Sequence, residues 1–186
     1  MRRNTSRRLV RPNCALIVID IQERLLPAIF ERKRVVQNSV RLIKGADILG
    51  IPIFATEQYR KGLGVTVPEV ALAFGSVVPV EKLAFSACGA TGLSAALKAK
   101  KIASVILCGI ESHVCVCQTC LDLLDQDYGV FVVADAISSR TPENHRIGLE
   151  RMRESGAVIV STEMALFELL GKAGTDEFRQ ILPLVK

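Results

Sequence analysis

Three residues of reactive type stand where apolar runs end: Asp20, Lys82 and Cys115. Asp20 closes CALIVI, Lys82 follows the run 77–80, and Cys115 follows the run 104–107 after a break at Gly109. From about Ser112 the pattern turns helical, with Val114, Val116, Leu121 and Leu124 at spacings a helix uses. Cys115 therefore lies in or near the first turn of a helix. Unpaired N–H groups and the positive end of the dipole favour a thiolate there. The same N–H groups can hold a carbonyl oxygen as it gains negative charge. A carboxylate such as Asp20 can take the thiol proton and return it, or activate water. An ammonium such as Lys82 keeps that carboxylate ionised and stabilises the thiolate. Plainer readings stay open: a cysteine packed as a small hydrophobe, an aspartate capping a turn, a solvated lysine.

The other candidate ligands and nucleophiles are weaker. Cys14 and Cys108 lie inside strand-like runs, and Cys117 and Cys120 continue the helix of Cys115, so all four read as packing residues. The C-x-C-x-x-C spacing does not make a zinc site, because consecutive helical turns do not aim three thiols at one ion and a second ligand cluster is missing. Of the two histidines, His113 is too near Cys115 in sequence for a conventional pairing, and His145 sits in a later helix.

The elements that must position these residues alternate regularly. Strands are expected at 14–19, 51–55, 77–80, 104–107, 129–134 and 157–160. Helices are expected at 34–49, 91–100, from about 112, at 143–155 and at 163–170, with one more in the tail. The near-continuous apolar runs belong to strands buried on both faces. The rhythm implies βαβ units: an α/β fold of three layers, α/β/α, around a six-stranded, mainly parallel, Rossmann-like sheet. Such sheets bind ligands outside the carboxyl ends of their strands. Asp20, residues 56–58, Lys82, Cys115 and Asp135 all fall at or just beyond those ends. The loop 56–68 and the turn 138–140 should build the pocket.

Composition sets the outer bounds. The 186 residues, 49% hydrophobic, suit one domain with a sizeable core. No apolar run approaches the ~20 residues of a membrane helix. Six cysteines within apolar runs suit a reduced, cytoplasmic protein. The net charge of +5 is local: five of the 24 basic residues lie in the first eleven positions, leaving 19 against 19 acidic residues. Residues 1–12 thus read as a basic, flexible arm and 13–186 as the single domain. The arm has the composition of an organelle transit peptide, which leaves organelle targeting open beside the cytoplasmic reading. A neutral body with nine aromatics disfavours nucleic-acid binding.

The segments Val18-Ile19-Asp20-Ile21-Gln22, KLAFSA from Lys82, and Gly109-Ile110-Glu111-Ser112-His113-Val114-Cys115-Val116 resemble three motifs of the isochorismatase-like cysteine hydrolases, which include nicotinamidases and N-carbamoylsarcosine amidases. The resemblance runs from about Cys14 to Leu170. It implies an Asp20–Lys82–Cys115 triad, a cis peptide at Ile110–Glu111, an oxyanion hole from the N–H groups of Glu111 and Cys115, and a homo-oligomer. Gln22, Gln58, Tyr59 and Ile110 are the expected substrate contacts. Nicotinamidases carry an Asp-x-His metal site after the second strand, whereas this chain has Thr56-Glu57-Gln58-Tyr59, so neither metal nor other cofactor is expected. TEQYRKGLG, TCLDLLDQ, DAISSR and STEMALFELL are closest to the isochorismatase-domain-containing subgroup. True isochorismatases often have aspartate at the position of Cys115. The expected activity is cleavage of an amide-type C–N bond in a small molecule through a thioester. Hydrolysis of another small ester or thioester, or a non-catalytic oligomeric scaffold, are the alternatives.

Overall fold

The structure, a computed structural model, describes residues 8–186. Its centre is β1 (Cys14–Ile19), every residue of which is buried. Leu16 and Val18 enter one apolar cluster, and Ala15, Ile17 and Ile19 enter the other, so the period-2 alternation of a strand feeds two cores. Each fully buried aliphatic side chain contributes about 1.5–3 kcal/mol. The first core is covered by α1 (Arg32–Ile48), α3 (Pro68–Ala73), α7 (Thr162–Leu170) and α8 (Asp176–Val185). The second is covered by α4 (Leu93–Ala99), α5 (Cys115–Asp125) and α6 (Pro142–Glu154).

The remaining strands are β2 (Ile53–Gln58), β3 (Val80–Lys82), β4 (Ser104–Ile110), β5 (Gly129–Ser138) and β6 (Val158–Val160), and α2 (Arg60–Leu63) is a single turn after β2. All six strands are parallel, in the order β3-β2-β1-β4-β5-β6. From β1 the chain first winds outward to β3, then crosses back to β4 and winds the other way. The reversal leaves a crevice between the carboxyl ends of β1 and β4, the place where such sheets hold ligands. Asp20 follows β1 and Cys115 follows β4.

Several boundaries differ from those expected. β2 begins later and runs through Gln58, because its ladder pairs Leu16 with Ile53 through Ile19 with Thr56 and then Gln58 with Lys82. Residues 56–58 are therefore strand, and Lys82 is the last residue of β3 rather than a residue beyond it. β5 continues four residues past the apolar run. A bulge lies there, with Leu107 opposite Val132 but Gly109 opposite Ile137. Asp135 consequently lies within the strand, and its carboxylate accepts hydrogen bonds from the N–H and hydroxyl of Thr162 at 2.8 and 2.9 Å. It caps α7 instead of joining the crevice.

The arm also differs. Leu9 is fully buried in the first core, and its N–H donates to Glu168 at 2.8 Å. Arg11 donates to the Leu49 carbonyl at 2.6 Å and pairs with Glu177 at 3.3 Å. Residues 9–11 are thus anchored by burial and hydrogen bonding; residues 1–7 of the arm lie outside the described residues. Among the described residues no helix is long and apolar enough to cross a membrane.

Gly109 decides how closely β4 approaches β1. Its φ is +121°, and a Cβ there would stand 2.0 Å from the Ile19 carbonyl oxygen. Both the conformation and the space demand glycine. Gly109→Ala is expected to destabilise the protein by at least about 4 kcal/mol, measured by urea unfolding. A loss below about 1 kcal/mol would show that the two strands part easily.

Candidate active site

Asp20 leaves β1 with φ 53°, which turns its side chain under the crevice, where it has no solvent exposure. Lys82 Nζ donates to Oδ2 at 2.6 Å, and Thr56 Oγ1 donates to Oδ1 at 2.7 Å. The ammonium is also buried and reaches three further acceptors: the Phe85 carbonyl at 2.9 Å, Gln58 Oε1 at 3.1 Å and the Ala84 carbonyl at 3.2 Å. Two buried charges are tolerated only when paired and fully hydrogen-bonded, as these are. Burial raises the Asp20 carboxyl above its ordinary value, opposed by Lys82, Thr56 and Cys115. A carboxylate so placed takes up a proton more readily than one in water.

Cys115 opens α5 and is nearly buried. Asp20 acts on its thiol and the thiol on Asp20, so the two groups are neighbours. Burial, and then the charge of Asp20, push the thiol up to about 12, while the Lys82 charge and a backbone hydrogen bond from Glu111 pull it down. Lys82 is held by Asp20 and little solvent reaches the sulfur, so the thiol holds its proton more tightly than an ordinary cysteine.

The segment between β4 and α5 aims the donors. Ile110–Glu111 is a cis peptide without proline. The Glu111 carbonyl accepts from the N–H groups of Val114 and Val116 at 3.0 and 3.2 Å, and Ser112 N donates to the Ser138 carbonyl at 2.8 Å. The Glu111 carboxylate accepts from Arg140 N and Nε at 3.2 and 3.1 Å. With these groups engaged, the Glu111 backbone lies beside Cys115 and acts to lower its thiol.

Residues 14–164 match the isochorismatase domain model. The chain belongs to the isochorismatase family. It is 40% identical over 185 residues to the secreted isochorismatase effector Isc1 of Phytophthora sojae, covering 96% of this chain and 87% of that one. Among solved structures it resembles the MAR1 ribonuclease of Caenorhabditis elegans, with 38% identity, TM-score 0.91, and 96% and 92% of the two chains covered. YcaC of Pseudomonas aeruginosa, solved with hexane-2,5-diol and covalent acrylamide, gives TM-score 0.89 and 25% identity, covering 98% and 93%.

In this isochorismatase-family chain the expected substrate contacts separate into two kinds. Gln22 is fully buried, and its amide N–H groups donate to the carbonyls of Gln58 and Gly64 at 2.9 and 2.7 Å, while its oxygen accepts from Gln58 N at 2.7 Å. It braces the loop after β2 rather than facing a ligand. Gln58 joins Lys82 Nζ and the Leu83 carbonyl, the latter at 2.9 Å, and so holds the lysine. Ile110 is fully buried and offers only backbone to the crevice. Tyr59, 46% exposed, presents surface beside it, as do Leu83 and Phe85 at 75% and 53%.

The sequence reading missed Thr56 as a partner of Asp20. It also missed Glu57, whose buried carboxylate accepts from Thr66 N and Oγ1, both at 2.7 Å, and from Arg60 at 2.6 Å. Among the described residues no three His, Cys, Asp or Glu side chains form a group suited to a metal ion.

Lys82→Met leaves the Asp20 charge without its ion partner and is expected to cost about 3–5 kcal/mol in unfolding free energy. Adding Asp20→Asn should recover part of that loss, since both charges are then gone. Strict additivity in the double variant would show that the pair is not coupled.

Burial pushes the thiols of Cys14, Cys108, Cys115 and Cys120 from 9.0 up to about 12. Below the ordinary value both folded and unfolded states keep these protons. Above it the unfolded chain loses them first, so stability is full below 9.0 and falls as pH rises toward 12. The urea midpoint under reducing conditions should drop between about pH 8 and pH 11, and a flat profile would contradict thiol burial.

Proposed function

We propose that this protein is a cysteine hydrolase that cleaves an amide-type C–N bond in a small molecule, with Asp20, Lys82 and Cys115 as its triad. The observation that carries the reading is the buried Asp20–Lys82 ion pair at the strand end beside which Cys115 opens α5, with the Asp20 charge acting on the thiol. The sulfur attacks the carbonyl carbon as its proton passes to Asp20. The carbonyl oxygen gains the negative charge and is held by the N–H groups of Glu111 and Cys115. The C–N bond breaks, the nitrogen leaves with the proton from Asp20, and a thioester remains on Cys115. Asp20 then takes a proton from water as its oxygen attacks the thioester. The sulfur leaves and recovers that proton, and the product is a carboxylic acid. Lys82 keeps Asp20 ionised between these transfers.

Two further observations support the reading. A structural relative, YcaC, carries covalent acrylamide, a small molecule that bonds to nucleophiles through its vinyl carbon. Tyr59, Leu83 and Phe85 give the mouth of the crevice an apolar rim suited to a small, largely uncharged substrate. Exposed Leu72 and Val78 favour a homo-oligomer on the same reading.

Acrylamide labelling followed by peptide mapping tests the nucleophile. Cys115 should be labelled ahead of the other five cysteines, and Asp20→Asn should slow that labelling by about 10²-fold or more. A panel of small amides and esters, with RNA included because the C. elegans relative is described as a ribonuclease, should be screened by mass spectrometry. Cys115→Ala should abolish turnover of any substrate found. Full turnover in that variant, or first labelling at another cysteine, would overturn the mechanism.

A further inference from the structure

Behind the turn that follows the cis peptide lies a polar cluster that the reaction does not use. Ser112 and Ser139 are fully buried, and their hydroxyl oxygens stand 2.6 Å apart. Ser112 Oγ lies 3.1 Å from His145 Nδ1, and Ser139 Oγ lies 2.9 Å from His113 Nδ1. Four groups are thus joined in one line by three contacts. Ser112 directly follows Glu111, and Ser139 directly precedes Arg140, which grips the Glu111 carboxylate. On α6, the helix that carries His145, Gly148 closes the turn, since a Cβ there would stand 2.9 Å from the Ser112 carbonyl and 3.0 Å from His113 Cα.

Counting protons constrains this line. Each hydroxyl brings one hydrogen, and a contact of 2.6 Å between two oxygens requires one between them. If both Nδ1 atoms lacked a proton, two hydrogens would have to serve three contacts. If both carried one, four would compete for three, and a buried hydroxyl hydrogen would be displaced from the line. Only one protonated Nδ1 satisfies all three contacts, and every bond then points the same way.

We propose that His113, Ser139, Ser112 and His145 form one directional hydrogen-bond chain that locks the two imidazoles in opposite tautomers and positions the turn bearing the Glu111 oxyanion donor. The direction runs from His113 Nδ1–H through Ser139 and Ser112 to an unprotonated His145 Nδ1. Desolvation and then Arg34, opposed by Glu31, lower the His145 pKa, which suits it to the accepting end. Arg34 and Glu31 form an ion pair at the start of α1, and Arg140 and Glu111 flank the two serines. Protonating His145 on Nδ1 breaks the chain. These four are positioning residues. Their effect on Cys115 rests on the cysteine-hydrolase reading, but the chain itself does not.

Long-range ¹H–¹⁵N spectra of the full chain at about pH 8 report which ring nitrogen of each histidine carries the proton. The expected result is Nδ1–H for His113, the form that imidazole in water disfavours, and Nε2–H for His145. In Ser139→Ala, His113 should revert to Nε2–H, and acrylamide labelling of Cys115 should slow roughly tenfold. The same tautomer at both histidines of the parent protein would overturn the chain, and that measurement stands whether or not the variant folds. Unchanged labelling in a folded Ser139→Ala would overturn its positioning role. A parent protein left unlabelled at Cys115 would instead overturn the cysteine reading, with the spectra still deciding the chain.

Discussion

A lysine ammonium and an aspartate carboxylate, both without solvent exposure, meet at 2.6 Å beneath the crevice, and the rest of the site is arranged around that contact. Removing two charges from water is costly, and their attraction offsets the cost only when the remaining hydrogen-bonding capacity is filled. Here Thr56 takes the second carboxylate oxygen, while Gln58 and the carbonyls of Ala84 and Phe85 surround the ammonium. These partners come from β2, β3 and the segment after it, so the pair ties the end of β1 to the edge of the sheet. Gln22 adds a second tie, binding the loop after β2 to the end of β1.

The same pair shapes the chemistry. A lysine beside a cysteine usually favours a thiolate, but this lysine is already engaged by Asp20. Burial and the nearby carboxylate keep the proton on sulfur. Asp20, raised by its own burial, is the group to which that proton can move. On the proposed mechanism, acid and base are therefore neighbours, with the ammonium holding the balance between them. The proposed oxyanion donors belong to a different element, the turn between β4 and α5, which Arg140 and the buried serines clamp from the far side. On the proposed mechanism, proton transfer and charge stabilisation rest on two separately braced frames that meet at the sulfur.

The sheet order explains why those frames meet at all. Winding outward to β3 and then back across to β4 places Asp20 and Cys115 on adjacent strand ends, although 95 positions separate them in the sequence. Gly109 allows β4 to lie against Ile19 closely enough for the thiol to reach the carboxylate.

Apolar periodicity and the residue types at strand ends were sufficient to determine the α/β class and the six parallel strands, and they singled out Asp20, Lys82 and Cys115 as the set proposed to react. Those features are local: a buried strand must be apolar on both faces, and a charged residue ending one stands out from it. What the sequence left undecided depended on distant partners. β2 extends through Gln58 and β5 through Ser138 because neighbouring strands supply their hydrogen bonds, which moved Asp135 out of the site. Leu9 packs into the core because α7 and its neighbours offer an apolar surface and Glu168 an acceptor. Gln22 reads as a ligand contact until the loop carbonyls that satisfy its amide are in view, and His113 and His145 read as unrelated until two serines join them. Only the tertiary structure decided these roles, because a polar group's function follows from the partner that satisfies it, and those partners lie far along the chain.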